Sequence, residues 1–359
     1  MELDFFDGML KMARDDSATD LHFCPGSPPL ARVNGKLRPL PDYDALKPGV
    51  INDINDSILD DRRRELLERN RVVDFSFSKP GIGRFRANIY SQRGTYAIAI
   101  RTLPFEVPKF EALGLPEAAL RFTTKPSGLY LATGVTGSGK STTLASLIDV
   151  INEHYDYHIL TIEDPIEYLH RHKKSLITQR EIGEDADSFA SALRSSLRED
   201  PDVIMVGEMR DPETIIIAMT AAETGHLVFS TLHTVGAAKS VDRIIDAFEA
   251  NQREQIRNQL ATVLDGIISQ QLIPRADGTG MALATELMFT NSAIRNMVRE
   301  GKHYQINSVI QTGKESGMAL MEAELAKMAN YGVITFEEAE TRAQDQQAFQ
   351  QFVRMRAYT

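Results

Sequence analysis

Leu129-Tyr-Leu-Ala-Thr133-Gly134-Val-Thr-Gly-Ser-Gly-Lys-Ser141 runs a short apolar segment straight into a glycine-rich loop. The loop fits the spacing of a glycine, four residues, then Gly-Lys-Ser, and Thr142 to Asn152 behind it reads as a helix. Such a loop turns backbone N–H groups toward phosphates, and the following helix adds the positive end of its dipole. Lys140 would then reach the β and γ phosphates, and Ser141 would ligate magnesium. Gly134, Thr136, Gly137, Ser138, Gly139, Lys140, Ser141 and Thr142 are therefore the expected cofactor-binding set, for ATP and Mg2+.

Outward from the loop, apolar segments at Ile159–Ile162, Val203–Val206 and Leu227–Thr231 alternate with helical sequence. That alternation predicts an α/β region with a mostly parallel sheet. Residues 213–224 read as a helix buried on most sides, and His170-Arg-His172-Lys-Lys as a solvated turn. Upstream the pattern differs. Leu3, Phe6, Leu10 and Ala13 have helical spacing, Asn34-Gly35 predicts a two-residue hairpin turn, Asp53–Arg71 is helical in composition, and three alternating strands follow at 73–77, 83–90 and 96–101. This is a small α+β domain, and the proline- and glycine-punctuated stretch 104–116 makes a linker. The expected division is 1–113 for the first domain with its linker and 114–359 for the ATPase domain with C-terminal helices.

Composition narrows the function. With 359 residues, 42% hydrophobic and 25% charged, the chain is a globular protein of about two domains. No apolar run approaches the 18 or so residues of a membrane span, and the acidic start lacks the basic region of a signal peptide, so a cytoplasmic location is expected. The single cysteine, Cys24, rules out an internal disulfide and a multi-thiolate zinc site. Residues 1–113 carry 17 basic and 17 acidic groups, leaving the whole net charge of −10 to the rest, so no nucleic-acid partner is expected.

Two acids stand at the ends of apolar strands. Val203-Ile-Met-Val-Gly207-Glu208 resembles a strand that delivers a magnesium-holding carboxylate, with Gly207 where many such strands place aspartate, so Glu208 takes the metal role. Ile159-Leu-Thr-Ile-Glu163 offers a second acid, suited to polarising the attacking water. The alternative for each is to cap the helix that follows. His226 and His233 flank the strand 227–232, and one or both would contact the γ-phosphate or sense its loss.

These segments resemble the PilT-type retraction ATPases of type IV pili, within the secretion-ATPase superfamily, over nearly the whole chain. The likeness rests on Ser17-Ala-Thr-Asp-Leu-His, Gly83-Arg-Phe-Arg, the loop at 134–142, Thr161-Ile-Glu-Asp-Pro-Ile-Glu167, Leu197 to Asp211, Ala221-Ala-Glu-Thr-Gly-His226 with Thr231-Leu-His233-Thr, and Ala293-Ile-Arg-Asn-Met-Val-Arg-Glu300. It implies a PAS-like first domain, a RecA-like P-loop NTPase domain and a homohexameric ring at the cytoplasmic face of the inner membrane. It also implies ATP held between domains and hydrolysis coupled to pilus retraction and twitching motility. Arg84 and Arg101 fall where relatives contact nucleotide, with Arg194, Arg198 and Arg210 as further candidates. The implied partners are the inner-membrane pilus platform protein, the pilus machinery and a paralogous motor ATPase. The alternatives are an accessory PilU-like retraction ATPase, a pilus-extension or secretion-system ATPase and, outside the enzymes, a nucleotide-gated regulatory scaffold. Relatives often carry arginine before the glycine that opens the loop strand; here the pair is Ser127-Gly128, which removes one expected contact near the phosphates.

Overall fold

A computed structural model describes residues 2–104 and 106–356, without the side chains of 2–4 and 355–356. The chain divides into two compact units, one ending at Glu106 and the other beginning at Val107.

The first unit contains helices α1 (Glu2–Asp15), α2 (Pro48–Ile58) and α3 (Asp61–Asn70) and strands β1 (Asp20–Phe23), β2 (Leu30–Val33), β3 (Lys36–Pro39), β4 (Val72–Lys79), β5 (Gly83–Gln92) and β6 (Thr95–Leu103). The strands form one antiparallel sheet in the order β3-β2-β1-β6-β5-β4. Asn34 and Gly35 both take positive φ, 50° and 77°, which matches the twist of a tight hairpin between β2 and β3. Phe6, Leu10 and Ala13 are buried as their spacing requires, in one core with Ile51, Ile54, Leu67, Phe85 and Ile98. Leu3 lies outside the described side chains. The helical stretch foreseen at 53–71 is two helices, because Leu59 turns extended and the Asp60 carboxylate accepts the Arg63 N–H at 2.7 Å to start a new one.

The second unit has β7 (Gly128–Thr133), α4 (Lys140–His154), β8 (His158–Glu163), β9 (Leu176–Glu181), α5 (Phe189–Ser196), β10 (Val203–Val206), α6 (Pro212–Glu223), β11 (Leu227–Leu232), α7 (Ala237–Asp246) and α8 (Arg253–Val263). Then come β12 (Leu264–Pro274), β13 (Met281–Phe289), α9 (Ser292–Arg299), α10 (Ile306–Thr312), α11 (Met321–Asn330), α12 (Phe336–Arg342) and α13 (Gln346–Arg356). The sheet order is β13-β12-β7-β11-β10-β8-β9, parallel throughout except for the antiparallel β12–β13 pair. β7, β10 and β11 are buried at every position, as expected of parallel strands covered on both faces.

Some sequence expectations change. Phe110 packs into the core of the second unit, so the stretch expected as linker contributes to that domain. α6 is less enclosed than foreseen: Ile216 is 40% exposed while Ile215, Ala218 and Met219 are buried. Arg171–Lys174 form the exposed turn expected, anchored where Lys173 bonds Asp149 and Glu153 and His172 Nδ1 accepts the Ile177 N–H at 3.1 Å, whereas His170 is partly buried.

Candidate nucleotide-binding site

The C-terminal ends of β7, β8, β10 and β11 open on one cleft of about 540 Å³, which is where an open parallel sheet places its ligands. Its floor is the glycine-rich loop. Gly134 has φ 142°, and a Cβ there would lie 2.4 Å from the Gln270 carbonyl oxygen and 2.5 Å from Ser138 Oγ, so only glycine lets the loop pass. Gly139 has φ 89° and precedes α4 without a side-chain cap, which leaves the first-turn amides of α4 for the cleft.

Lys140 begins α4 and is buried to 8% exposure. Its ammonium donates to the carbonyls of Gly134 and Val135 at 2.9 and 3.0 Å. Burial draws its pKa down, against the opposing pull of Glu208 and Glu167. Thr136, Gly137, Gly139, Ser141 and Thr142 line the same cleft, and Ser138 Oγ lies buried beneath the loop with no hydrogen-bond partner.

The two acids arrive from neighbouring strands. Glu163 ends β8, lines the cleft and is almost fully buried; Thr161 Oγ1 donates to its Oε1 at 2.7 Å and Gln179 Nε2 donates to the same oxygen at 3.2 Å. Burial pushes its carboxyl pKa up to about 7, with both hydrogen bonds and the Glu167 backbone N–H pulling the other way. Glu208 follows β10, accepts from Arg210 Nε at 2.7 Å, and lies 3.3 Å from His233 Nε2. His233 in turn places Nδ1 3.5 Å from Thr136 Oγ1 in the loop. Neither acid caps a helix: α6 is capped by Asp211, which accepts the Thr214 N–H at 2.9 Å.

Gly207 explains its own position. Its N–H donates to the Ile162 carbonyl at 2.8 Å, and a Cβ would lie 3.2 Å from that oxygen and 3.4 Å from Glu163 Cα. A larger residue would press on the strand that carries Glu163, and the acid stands one residue later.

Other expected residues are not gathered here. His226 immediately precedes β11, at the far end from His233 and about 20 Å away along a six-residue strand. Its Nδ1 lies 2.9 Å from the Ala221 carbonyl at the end of α6. Ser127 likewise precedes β7 at the end away from the loop, so it stands where no phosphate contact of its own loop was available to lose. Of the arginines, Arg210 lines the cleft. Arg194 pairs with Glu213 of α6 at 2.5 Å, and Arg198 is exposed just past α5. Arg84 and Arg101 belong to the first unit, where Arg84 Nη1 donates to Ser78 Oγ at 3.4 Å and Arg101 Nε to Asp20 Oδ1 at 3.1 Å.

The cleft also holds Tyr168 and Phe189, for which no role was expected, and His170, expected in a solvated turn. Tyr168 OH meets Thr142 Oγ1 at 3.0 Å, and His170, whose pKa burial lowers to about 4, lines the wall with Phe189. Tyr168 and His170 lie five and seven residues after Glu163, so the loop behind that acid was the available signal; Phe189 carried none.

A glycine-rich loop between a buried central strand and its helix, faced by acids from the adjoining strands, makes this a nucleotide-binding domain of the RecA-like P-loop ATPase class. Residues 84–358 match the family described as type II/IV secretion system protein. The chain is 49% identical over 322 residues to the twitching motility protein of Neisseria gonorrhoeae, covering 89% of this chain and 85% of that one. It is 45% identical over 335 residues to the type IV pilus retraction ATPase PilT of Pseudomonas aeruginosa, covering 93% and 97%. A crystal structure of the pilus retraction motor PilT with bound ADP has the same fold, with TM-score 0.91, 48% identity, and coverage of 96% and 98%. The chain belongs to the type II/IV secretion system protein family.

Proposed function

We propose that this protein is an ATP-hydrolysing motor that powers retraction of a type IV pilus, working as a homohexameric ring at the cytoplasmic face of the inner membrane. One observation carries the reading: the cleft brings Lys140, Glu163 and the Glu208–His233 pair around a single phosphate-binding loop, in a chain that matches the P. aeruginosa retraction ATPase over nearly its whole length.

Lys140 exchanges its bonds to the loop carbonyls for the β and γ phosphates, and the amides opening on α4 hold the remaining oxygens. Ser141 and Glu208 both line the cleft and are the hard oxygen donors that would hold Mg2+ beside the phosphates. Bound there, magnesium neutralises phosphate charge as it builds. Glu163 takes the proton of the attacking water: its carboxyl is tuned near neutrality, close to the optimum for a base at cellular pH. His233 bridges Glu208 to Thr136 and so registers whether the γ-phosphate is present. Arg210 is the cation next to the acids, while Arg84 and Arg101, with Arg194 and Arg198, are the arginines that would serve a nucleotide from another part of the assembly. His226 has no place in this cleft and its role lies elsewhere in the ring. The partners fitting such a motor are the inner-membrane pilus platform protein and a paralogous motor ATPase.

The test is the count of surface pili on cells whose own gene carries Lys140→Ala. Abundant pili that no longer retract are expected. Bald cells would instead identify an extension motor, and an unchanged count an accessory or secretion role.

A further inference from the structure

β9 is the edge strand of the second sheet, yet one of its side chains reaches the catalytic strand beside it. Gln179 Nε2 donates to the Tyr168 carbonyl at 2.9 Å as well as to Glu163 Oε1 at 3.2 Å, and its Oε1 accepts the His170 N–H at 2.8 Å. A carboxamide has two N–H donors on one side and an oxygen on the other, and here both sides are engaged. The backbone N–H of His170 fixes the orientation, since turning the amide over would set its oxygen against a carbonyl and a carboxylate. Two residues on, on the same side of β9, Glu181 Oε2 accepts the Ile166 N–H at 3.0 Å. The loop after Glu163 is thus tied to β9 at residues 166, 168 and 170, and the carboxylate itself is tied to the same amide.

We propose that Gln179 is a positioning residue for the reaction: it fixes the Glu163 carboxylate and the loop behind it in one geometry, so that Glu163 faces the water that attacks the γ-phosphate. The inference rests on the reading of Glu163 as the base. Thr161 Oγ1 fixes the same oxygen from within β8, but Thr161 leaves the loop untied; Gln179 joins the two. Its hydrogen bond also favours the ionised carboxylate. The charged and titratable groups around Glu163 are Asp164, Glu167, Tyr168 and His170 from its own loop, Glu181 opposite it on β9, Lys140 from α4, Glu208 and Arg210 after β10, and His233 after β11. All of them remain when Gln179 is replaced.

The experiment measures steady-state ATP hydrolysis from pH 5.5 to 9, together with affinity for a fluorescent ADP, in the full chain. Gln179→Met is expected to lower kcat about tenfold to a hundredfold, since displacing a reacting group by about an ångström can cost about a hundredfold, while ADP affinity and KM for ATP stay within about twofold of wild type. The acid limb of its kcat profile moves to higher pH. Gln179→Glu, of the same shape, sets a second carboxylate against Glu163 and gives a larger loss and a larger alkaline shift, and it serves as the test should the Met variant fold poorly. Because Gln179 acts through Glu163, Glu163→Gln combined with Gln179→Met is expected to be no slower than Glu163→Gln alone. Additive losses in the double variant, or Gln179 variants with wild-type kcat and pH limb beside a slow Glu163→Gln, overturn the role of Gln179 alone. A Glu163→Gln variant at the wild-type rate instead removes the base, and the positioning role with it.

Discussion

At the scale of single residues, Glu163 carries two opposed demands. A carboxyl with pKa raised from 4.5 to about 7 by burial keeps in the folded protein a proton that the unfolded chain has already lost. Stability therefore falls as pH rises through that window, by on the order of 3 kcal/mol for this group alone. With Glu163 as the proposed base, its ionised form accepts the proton, so activity is expected to rise through the same window. Glu163→Gln removes both effects: at pH 8 it should hydrolyse ATP about a hundredfold to a thousandfold more slowly yet melt at higher temperature than wild type. Near pH 5, where wild-type Glu163 is protonated, the two melting curves should converge. Paired activity and thermal-shift series across pH check this, and equal melting points at pH 8 would mean the carboxylate is better solvated than its burial states. The main residues of the cleft were legible because their types recur at meaningful places: a glycine pattern before Lys140, acids at the ends of apolar runs. Gln179 and His170 were not, since a glutamine in a half-polar strand and a histidine in a basic run acquire meaning only through the partners that folding brings to them.

At the scale of elements, the central strands β7, β8, β10 and β11 were readable as unbroken apolar runs, and the strands outside them were not. Leu176-Ile-Thr-Gln-Arg-Glu181 has two apolar residues followed by four polar ones, and β12 carries Gly266 and Gln270-Gln271 inside its apolar stretches, so periodicity alone marked neither as sheet. Pairing resolves them: Gln270 is fully buried because its amide donates to Thr143 Oγ1 in α4 at 2.8 Å. The segment 293–300 is α9 from its second residue together with the cap that follows it, its Ile294 and Val298 buried, and Arg295 ties the end of α8, through the carbonyls of Ala261 and Thr262, to Asp265 at the start of β12. A comparable device sits on β13. Glu286, buried at 3% exposure, accepts the N–H of Ala237 at 2.6 Å and of Met321 at 3.3 Å, and so anchors the first turns of α7 and α11. α7 directly follows the loop that begins at His233, and α11 opens the C-terminal helices. Glu286→Ala strands two buried donors and leaves a cavity, for an expected loss of about 3 kcal/mol or more. The urea midpoint of the full chain measures it, and a shift within error of zero would show that the two helix starts hold without the carboxylate.

At the scale of the whole molecule, the charge bookkeeping of the sequence acquires a physical use. The second unit carries the entire net charge of −10 and gathers acids around its phosphate-binding loop, whereas the first unit is neutral and rich in arginine. In the first unit's sheet Arg86 stands directly across from Arg101, and Arg84 lies two residues before Arg86 on the same side of β5. All three belong to the first unit, whereas the residues that line the Lys140 cleft belong to the second. Arg101 is the sharper probe. It is 66% exposed and its pair with Asp20 lies at the surface, where such pairs contribute about 1 kcal/mol at most, so Arg101→Ala should fold and melt as wild type does. If arginines of the first unit neutralise the departing phosphate, kcat in Arg101→Ala falls by about tenfold or more, while the Lys140 loop keeps its affinity for ADP. Asp20→Asn supplies the control, since it releases the Arg101 guanidinium without removing it and should leave the rate near wild type. Steady-state hydrolysis and ADP titration of Arg84→Ala, Arg101→Ala and Asp20→Asn decide the matter, and wild-type turnover in both arginine variants would confine catalysis to residues after Val107.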